Sequence, residues 1–197
     1  MEQIDKCLQK FLSLQNYEFT HKDLIISLAY NFPKINDHWY WIEGINVKEK
    51  LTLQQLLDPK NPTTFNYLQK SQKPYFFDNS KENAKANGHY MYDSIDETIS
   101  NDSYTNKQPV GSIFCYKYEI KKNNGVDINA ILSISTYRKR FVPDIKEKEK
   151  GTKKEYLYQL SVSNTRDNMI KIVEDQFGIR ICIELCILYF SKLSKTL

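Results

Sequence analysis

The sequence is poor in glycine, histidine and cysteine, and each shortage excludes a class of chemistry. Only six glycines serve 197 residues, and no GxGxxG, P-loop or GxSxG sequence is present. A glycine-rich loop that cradles phosphate is therefore not expected. The three histidines, His21, His38 and His89, are distant from one another and show no HxxxH or HxH spacing. The sequence accordingly predicts no structural zinc site and no other metal centre.

The four cysteines also lack the spacing of a disulfide framework or a metal site. No CxxC pair occurs, and the N-terminus has no basic, apolar export signal. Cys182 and Cys186 share a helix face among apolar neighbours, which favours burial in the core. The most apolar run, 179–190, is shorter than a spanning helix and contains charged residues. We expect a cytoplasmic protein without a membrane span.

The net charge is also small, because the 28 Lys and Arg residues exceed the 24 Asp and Glu residues by only four, which gives a formal charge of +4. The excess lies between residues 138 and 154, where eight basic side chains accompany three acidic ones. Their interleaving is typical of a solvated connector and does not by itself indicate a nucleic-acid-binding protein.

What the chain does have is apolar material for a core. Hydrophobic residues make up 41% and aromatic residues 13% of the sequence, and the length suits a single domain over residues 1–197. Apolar residues at spacings of three and four predict an opening helix over 4–12 and a second helix over 24–29, which ends before Pro33. The N-terminal helices would thus occupy residues 1–34.

The middle of the chain mixes short elements. The row HWYWIEGINV at 38–47 predicts a strand, whereas the leucines at 51–57 fit either a strand or a helical turn. A short helix is predicted at 63–68 and a short strand at 75–77. Residues 78–109 contain most of the polar turn formers and are interpreted as a long loop.

The second half has clearer patterns. Residues 110–120 and 126–136 predict two strands joined by the turn KKNNG, hence an antiparallel hairpin. Residues 155–162 fit either a strand or a helix. An apolar helix is predicted over 165–195, with Gly178 marking a bend or a close contact.

Three segments carry a resemblance to a known family: KPYFFDN at 73–79, VGSIFCYKYEI at 110–120 and NAILSISTYRKRFVPD at 129–144. With the order of the elements they resemble the GAF family of small-molecule sensor domains. The resemblance implies an α+β, GAF/PAS-like fold, in which a central antiparallel sheet has the N- and C-terminal helices on one face and a ligand pocket on the other. It also implies ligands such as cyclic nucleotides, tetrapyrroles or amino-acid derivatives, and dimerisation through terminal helices.

The chain departs from this family in two respects. It lacks the Asn-Lys, Phe and Asp-Glu pattern of the members that bind cyclic nucleotides, so a ligand of that kind is not expected. It also ends at Leu197 without an output region, so we expect any signal to pass to a separate partner protein.

The candidate ligand site combines the long loop with the strands on either side. Aromatic walls with a few convergent polar groups are typical of small-molecule pockets. The candidate residues are Asp78, His89, Tyr90, Tyr92, Asp93, Ser112 and Phe114. The alternative is a solvated loop anchored by its aromatic residues, with Asp78 as a turn residue.

We therefore expect a non-catalytic sensor or ligand-binding domain without a cofactor. One alternative is a nucleic-acid-binding accessory protein that uses Arg138, Lys139 and Arg140. Another is a small enzyme that uses Cys115 or the loop with His89, although strand alternation turns Cys115 toward the core. A structural subunit of a larger assembly is the third alternative.

Overall fold

The computed structural model describes residues 2–15, 19–45, 52–91, 111–121, 127–136 and 139–194. Within these ranges, five strands form one antiparallel sheet in the order β2-β1-β5-β4-β3. The strands are β1 (Leu24–Phe32), β2 (Asn36–Ile45), β3 (Tyr75–Asp78), β4 (Ile113–Lys121) and β5 (Asp127–Thr136). The fold is α+β, as the sequence predicts.

Helices cover both faces of this sheet. They are α1 (Glu2–Gln15), α2 (Leu53–Leu57), α3 (Thr64–Lys70), α4 (Lys81–Ala86), α5 (Lys153–Lys171) and α6 (Gly178–Leu193). Leu8 of α1 and Leu185 of α6 share a core with Leu132 of β5. Phe65 of α3 and Ala84 of α4 share a second core with Ile131, the neighbour of Leu132 on that strand. The expected placement of the terminal helices on one face is confirmed.

The helix predicted over 24–29 is wrong, because these residues begin β1. Leu24, Ile26 and Leu28 face the core beneath the terminal helices, whereas Ala29 faces the other core. A strand buried on both faces is a nearly continuous apolar run, and such a run also satisfies the spacing of a helix. The region 1–34 therefore contains one helix, α1, rather than two.

The C-terminal helix begins earlier than residue 165. Thr152 accepts a hydrogen bond from the Lys154 N–H and starts α5, and the open choice at 155–162 is resolved as helix. A π-helical turn, Ile172–Gln176, then joins α5 to α6. The expected close contact at Gly178 is confirmed, since an added Cβ would lie 3.3 Å from the Val173 carbonyl oxygen.

Most of the other sequence predictions are confirmed. Helices α1 and α3 and strands β2 to β5 lie where the patterns place them, while the turn between β4 and β5 is outside the described residues. The leucines at 51–57 contribute to α2, which begins with a capping box between Thr52 and Gln55. Helix α4 lies within the segment interpreted as a long loop and begins at Ser80, whose hydroxyl accepts the Asn83 N–H.

Three buried polar side chains join the ends of β3, β4 and β5, and we call Asn79, Ser112 and Thr136 the polar junction. The Ser112 hydroxyl donates to the Asn79 carbonyl oxygen and accepts the Phe141 N–H, each at 2.9 Å. The Thr136 hydroxyl accepts the Ser112 N–H at 2.8 Å. The Asn79 side chain bonds the N–H and the carbonyl oxygen of Val142 at 3.0 and 2.8 Å. The junction thereby fixes the path by which the chain leaves the sheet toward α5.

Gly111 allows the strands to approach closely beside this junction. It has a φ of +130°, and an added Cβ would collide with the Thr136 carbonyl oxygen. We predict that Gly111→Ala lowers the free energy of unfolding by about 2–4 kcal/mol in urea denaturation. Gly151→Ala is the control, because its φ is +74° but nothing lies within 4 Å of the added Cβ. That variant should lose only about 1 kcal/mol, and equal losses in the two variants would contradict the close approach.

Candidate ligand-binding site

Small side chains lie next to one another on the sheet face that packs against α2, α3 and α4. Ser27 of β1 pairs with Ser133 of β5, which pairs in turn with Cys115 of β4. Ser135 lies on the same face, two residues along β5 from Ser133. We call Ser27, Ser133 and Ser135 the serine patch. Serine fills less volume than the branched and aromatic side chains usual in central strands, so the patch occupies less of the space between the sheet and the helices than such residues would.

The hydroxyl groups of the patch make few hydrogen bonds within the described part of the protein. Within the described part of the chain, Ser27 and Ser135 make no side-chain hydrogen bond, and the Ser133 hydroxyl has only the Cys115 thiol, at 3.5 Å. None of the three hydroxyl oxygens is both fully enclosed and without a hydrogen-bond partner. A hydroxyl on a central strand without a protein acceptor can bind a ligand or water.

Strand β5 shows directly that its two faces are covered unequally. Leu132 and Ile134, which face the terminal helices, are 0% exposed. Ser133 and Ser135, which alternate with them, are only half-buried. The second face of the central strand is therefore accessible at the patch, although the neighbouring Cys115 is fully buried.

Aromatic and apolar side chains border the patch. Trp39 and Trp41 of β2 and Tyr90 pack partly buried against the second core. The Trp41 ring meets Phe65 of α3 edge to face, with 5.9 Å between centroids. Thr64, at the start of α3, places its hydroxyl 3.7 Å from the Cys115 sulfur. Aromatic side chains and hydroxyl groups therefore lie on the same face of the sheet, a combination that is usual in small-molecule sites.

One end of this face carries Asp78, His89 and Tyr90, which are three of the residues predicted from the sequence. Asp78 ends β3 on the same side as Ile113 and interacts electrostatically with Arg140 and His89. Desolvation raises the pKa of the Asp78 carboxyl above its usual value, against the lowering effect of the Ser80 N–H.

His89 and Tyr90 lie beside this charged end. The His89 ring contacts Tyr67 and Phe76 with centroid distances of 4.7 and 5.5 Å. The ammonium of Lys81, a residue only 1% exposed, lies 5.2 Å from the centre of the Tyr90 ring. Asp78, His89 and Tyr90 are therefore on the same face as the patch.

The remaining residues that were predicted to bind a ligand are not shown beside the serine patch. Ser112 belongs to the polar junction, where the backbone of residues 79 and 141 engages its hydroxyl. Phe114 faces the terminal helices and contacts Phe77 on that side of the sheet. Tyr92 and Asp93 lie outside the described residues.

The patch itself was missed by the sequence analysis, although a signal was present. In LSIST, at 132–136, serine alternates with leucine and isoleucine, so one face of the strand is polar while the other is apolar. Ser27 lies in a run that was misread as helix. Only the register of β1 against β5 shows that Ser27 and Ser133 are adjacent.

Cys115 does not have the properties of a nucleophile. Burial raises the pKa of its thiol to about 11, although hydrogen bonds with Ser133 and Thr64 act in the opposite direction. A catalytic cysteine needs a lowered pKa, because the thiolate is the reactive form. The geometry therefore gives no support to an enzyme that uses Cys115.

The basic residues predicted to contact nucleic acid form ion pairs within the fold. The Lys139 ammonium lies 3.2 Å from the Asp23 carboxylate, and the Arg140 guanidinium lies 3.0 Å from Glu82 and also contacts Asp144. Arg138 lies outside the described residues. Lys139 and Arg140 thus connect the segment after β5 to the turn that precedes β1 and to α4.

The described ranges contain no group of three or more His, Cys, Asp or Glu residues placed to hold a metal ion. No helix in them has both the length and the apolar character needed to cross a membrane.

The buried thiol generates a prediction about alkaline pH. Because the Cys115 pKa is raised from 9.0 to about 11, its protonated form stabilises the fold below pH 9, and this contribution disappears as the pH rises toward 11. Relative to Cys115→Ser, the wild type should lose on the order of 2 kcal/mol across that interval in urea denaturation. Ionisation of the tyrosines affects both proteins equally and therefore cancels from the difference between their free energies of unfolding. A difference in stability that does not change with pH would contradict the buried, protonated thiol.

The comparisons with known proteins add no further constraint. The chain matches no protein-family model, no curated protein and no solved structure. The resemblance to the GAF family therefore stays a prediction from the order of the elements.

Proposed function

We propose that this protein is a non-catalytic sensor domain that binds a small organic molecule on the serine patch, between the sheet and helices α2 to α4. The observation that carries the proposal is the set of three hydroxyl groups without protein acceptors on two central strands, of which Ser133 and Ser135 are half-buried and Ser27 is buried. Central strands of a folded core normally carry apolar side chains on a covered face. A ligand that hydrogen-bonds to the three serines would explain why they lie on this face.

The surroundings of the patch suggest the chemistry of the ligand. Hydroxyl groups donate to carbonyl, carboxylate or ring-nitrogen acceptors, and Trp41 and Phe65 offer apolar edges to a flat body. A compact, partly aromatic metabolite with acceptors along one edge fits both features. Lys81 and Asp78 at the end of the face supply charges of opposite sign for discrimination among such molecules.

Ion pairs connect the site to the C-terminal region. Asp78 lies near Arg140, and Arg140 contacts both Glu82 of α4 and Asp144 before α5. The Tyr158 hydroxyl of α5 contacts the Asp144 carboxylate at 3.1 Å. A ligand that changed the position of α4 would alter this network, and we propose that a separate output protein detects the change.

The proposal predicts a ligand-dependent gain in stability that depends on the patch. Among pools of metabolites, at least one should raise the melting temperature, because a ligand at 100 times its Kd adds about 2.7 kcal/mol to the free energy of unfolding. Ser133→Leu should abolish the increase by filling the space above β5. Ser161→Leu is the control, since Ser161 is equally half-buried but lies on α5.

The outcomes of this experiment are separable. Retention of the melting shift in Ser133→Leu would place the ligand elsewhere, and the absence of a shift with every pool would contradict a sensor. Binding to nucleic acid with a steep salt dependence would instead favour the basic segment.

A further inference from the structure

A long cavity with mainly apolar walls opens between α6 and β4, and we call it the α6–β4 cavity. Its volume is about 660 Å³, which is within the range of small-molecule sites. Tyr116, Tyr118 and Ile120 alternate along β4 and form the sheet side. The helix side extends from Gly178 to Phe190, so the cavity follows α6 for about 18 Å. This shape suits an elongated ligand.

The fold leaves the helix side of the cavity partly uncovered. Four of its large apolar side chains are more than half exposed, namely Ile179, Ile183, Ile187 and Phe190. Cys182 and Cys186, expected in the core, are half-buried and line the cavity instead. An apolar chain that lay along α6 would remove these side chains from water, which is favourable.

The charge in the cavity lies at its Gly178 end. Among the described residues, Glu174 is the only charged residue in the lining. It belongs to the π-helical turn Ile172–Gln176, directly before α6. Within the same part of the chain, the Glu174 carboxylate forms no ion pair with a lysine or arginine. Its negative charge is therefore available to a ligand.

The sheet holds the turn that carries Glu174 in place. The Tyr118 hydroxyl donates a hydrogen bond to the Val173 carbonyl oxygen at 2.8 Å. Tyr116 hydrogen-bonds to Glu174 itself, and burial together with this carboxylate raises the pKa of Tyr116 to about 12. The Tyr116 hydroxyl thus stays protonated at neutral pH and donates to Glu174. Single π-helical turns are frequent at functional sites, and this one fixes a carboxylate at the end of an apolar cavity.

The electrostatics of this end select the head group of a ligand. Asp175 also acts on the Tyr116 hydroxyl, so two carboxylates lie close to it. They disfavour a carboxylate or phosphate head group and favour an ammonium, which donates charge-assisted hydrogen bonds. The length of the cavity suits an aliphatic tail. An extended chain advances roughly 1.3 Å per carbon, so about 14 carbons would span it.

We propose that the α6–β4 cavity binds a long-chain aliphatic amine, with the ammonium at Glu174 and the chain along α6. The proposal does not rest on the proposed function. Tyr116 and Tyr118 face the terminal helices, on the opposite side of the sheet from the serine patch, and the two ligands differ in shape and charge.

Calorimetric titration of the full chain with decylammonium, decanol and decanoate, each below its micellar concentration, tests the proposal. Decylammonium should bind about tenfold more tightly than decanol, and decanoate should bind most weakly. Glu174→Gln should remove the preference for decylammonium over decanol. Glu184→Gln is the matched control, because Glu184 is also exposed on α6 but does not line the cavity. This variant should keep the preference.

A second pair of variants tests the position of the chain. Cys186→Phe fills the cavity and should weaken binding of decylammonium at least about tenfold. Ser191→Phe, at an exposed position of α6 outside the cavity, should leave binding unchanged, as should Ser133→Leu in the serine patch. Circular dichroism should show that each variant is folded, and the Glu174→Gln result does not depend on the larger substitutions.

Three results would overturn the proposal. They are equal affinity for the three probes, a preference for decylammonium that survives Glu174→Gln, and unchanged binding by a folded Cys186→Phe variant. Loss of binding in Ser133→Leu would also contradict it, because the probes would then occupy the serine patch.

Discussion

The hydrogen bonds of Ser112 are the interaction on which the rest of the structure depends. This buried hydroxyl connects β3 to the segment after β5, and the Ser112 N–H connects β4 to Thr136. An unsatisfied buried hydroxyl or amide costs about 1–3 kcal/mol, so each member of the polar junction holds the others in place. The junction sets where Asp78 ends its strand and where Arg140 meets α4. Both the position of Asp78 beside the second core and the start of α5 depend on it.

The two faces of the sheet are packed differently because their side chains differ in size. Beneath the terminal helices, the core consists mainly of leucine, isoleucine and aromatic residues. On the other face, the second core is smaller and gives way to hydroxyl groups at the serine patch. A tightly packed face resists deformation, whereas a partly open one can accept a ligand at little cost.

The sequence predicts the elements of this fold better than it predicts the site. Amphipathic spacing identified α1, and alternation identified β4 and β5. The same reasoning failed for β1, because a strand buried on both faces has no period of two to detect. The start of α5 was missed because Tyr156, Leu157 and Leu160 are largely exposed there, so no buried stripe marks the helix.

The site was only partly predictable for a related reason. Asp78, His89 and Tyr90 were found through their chemistry, but the adjacency of Ser27 and Ser133 depends on strand register, which sequence periodicity does not give. Ser112 was predicted as a ligand-binding residue, but in the structure its hydroxyl makes its hydrogen bonds within the polar junction.

The most direct test of the ligand-binding account is an amide chemical-shift map of the protein with a library of small aromatic fragments that carry carbonyl or ring-nitrogen acceptors. The account predicts that binding fragments perturb the amides of Ser27, Ser133 and Ser135 first, together with that of Thr64 at the start of α3. Perturbations confined to α6 and β4, or no perturbation at the serine patch with any fragment, would contradict it.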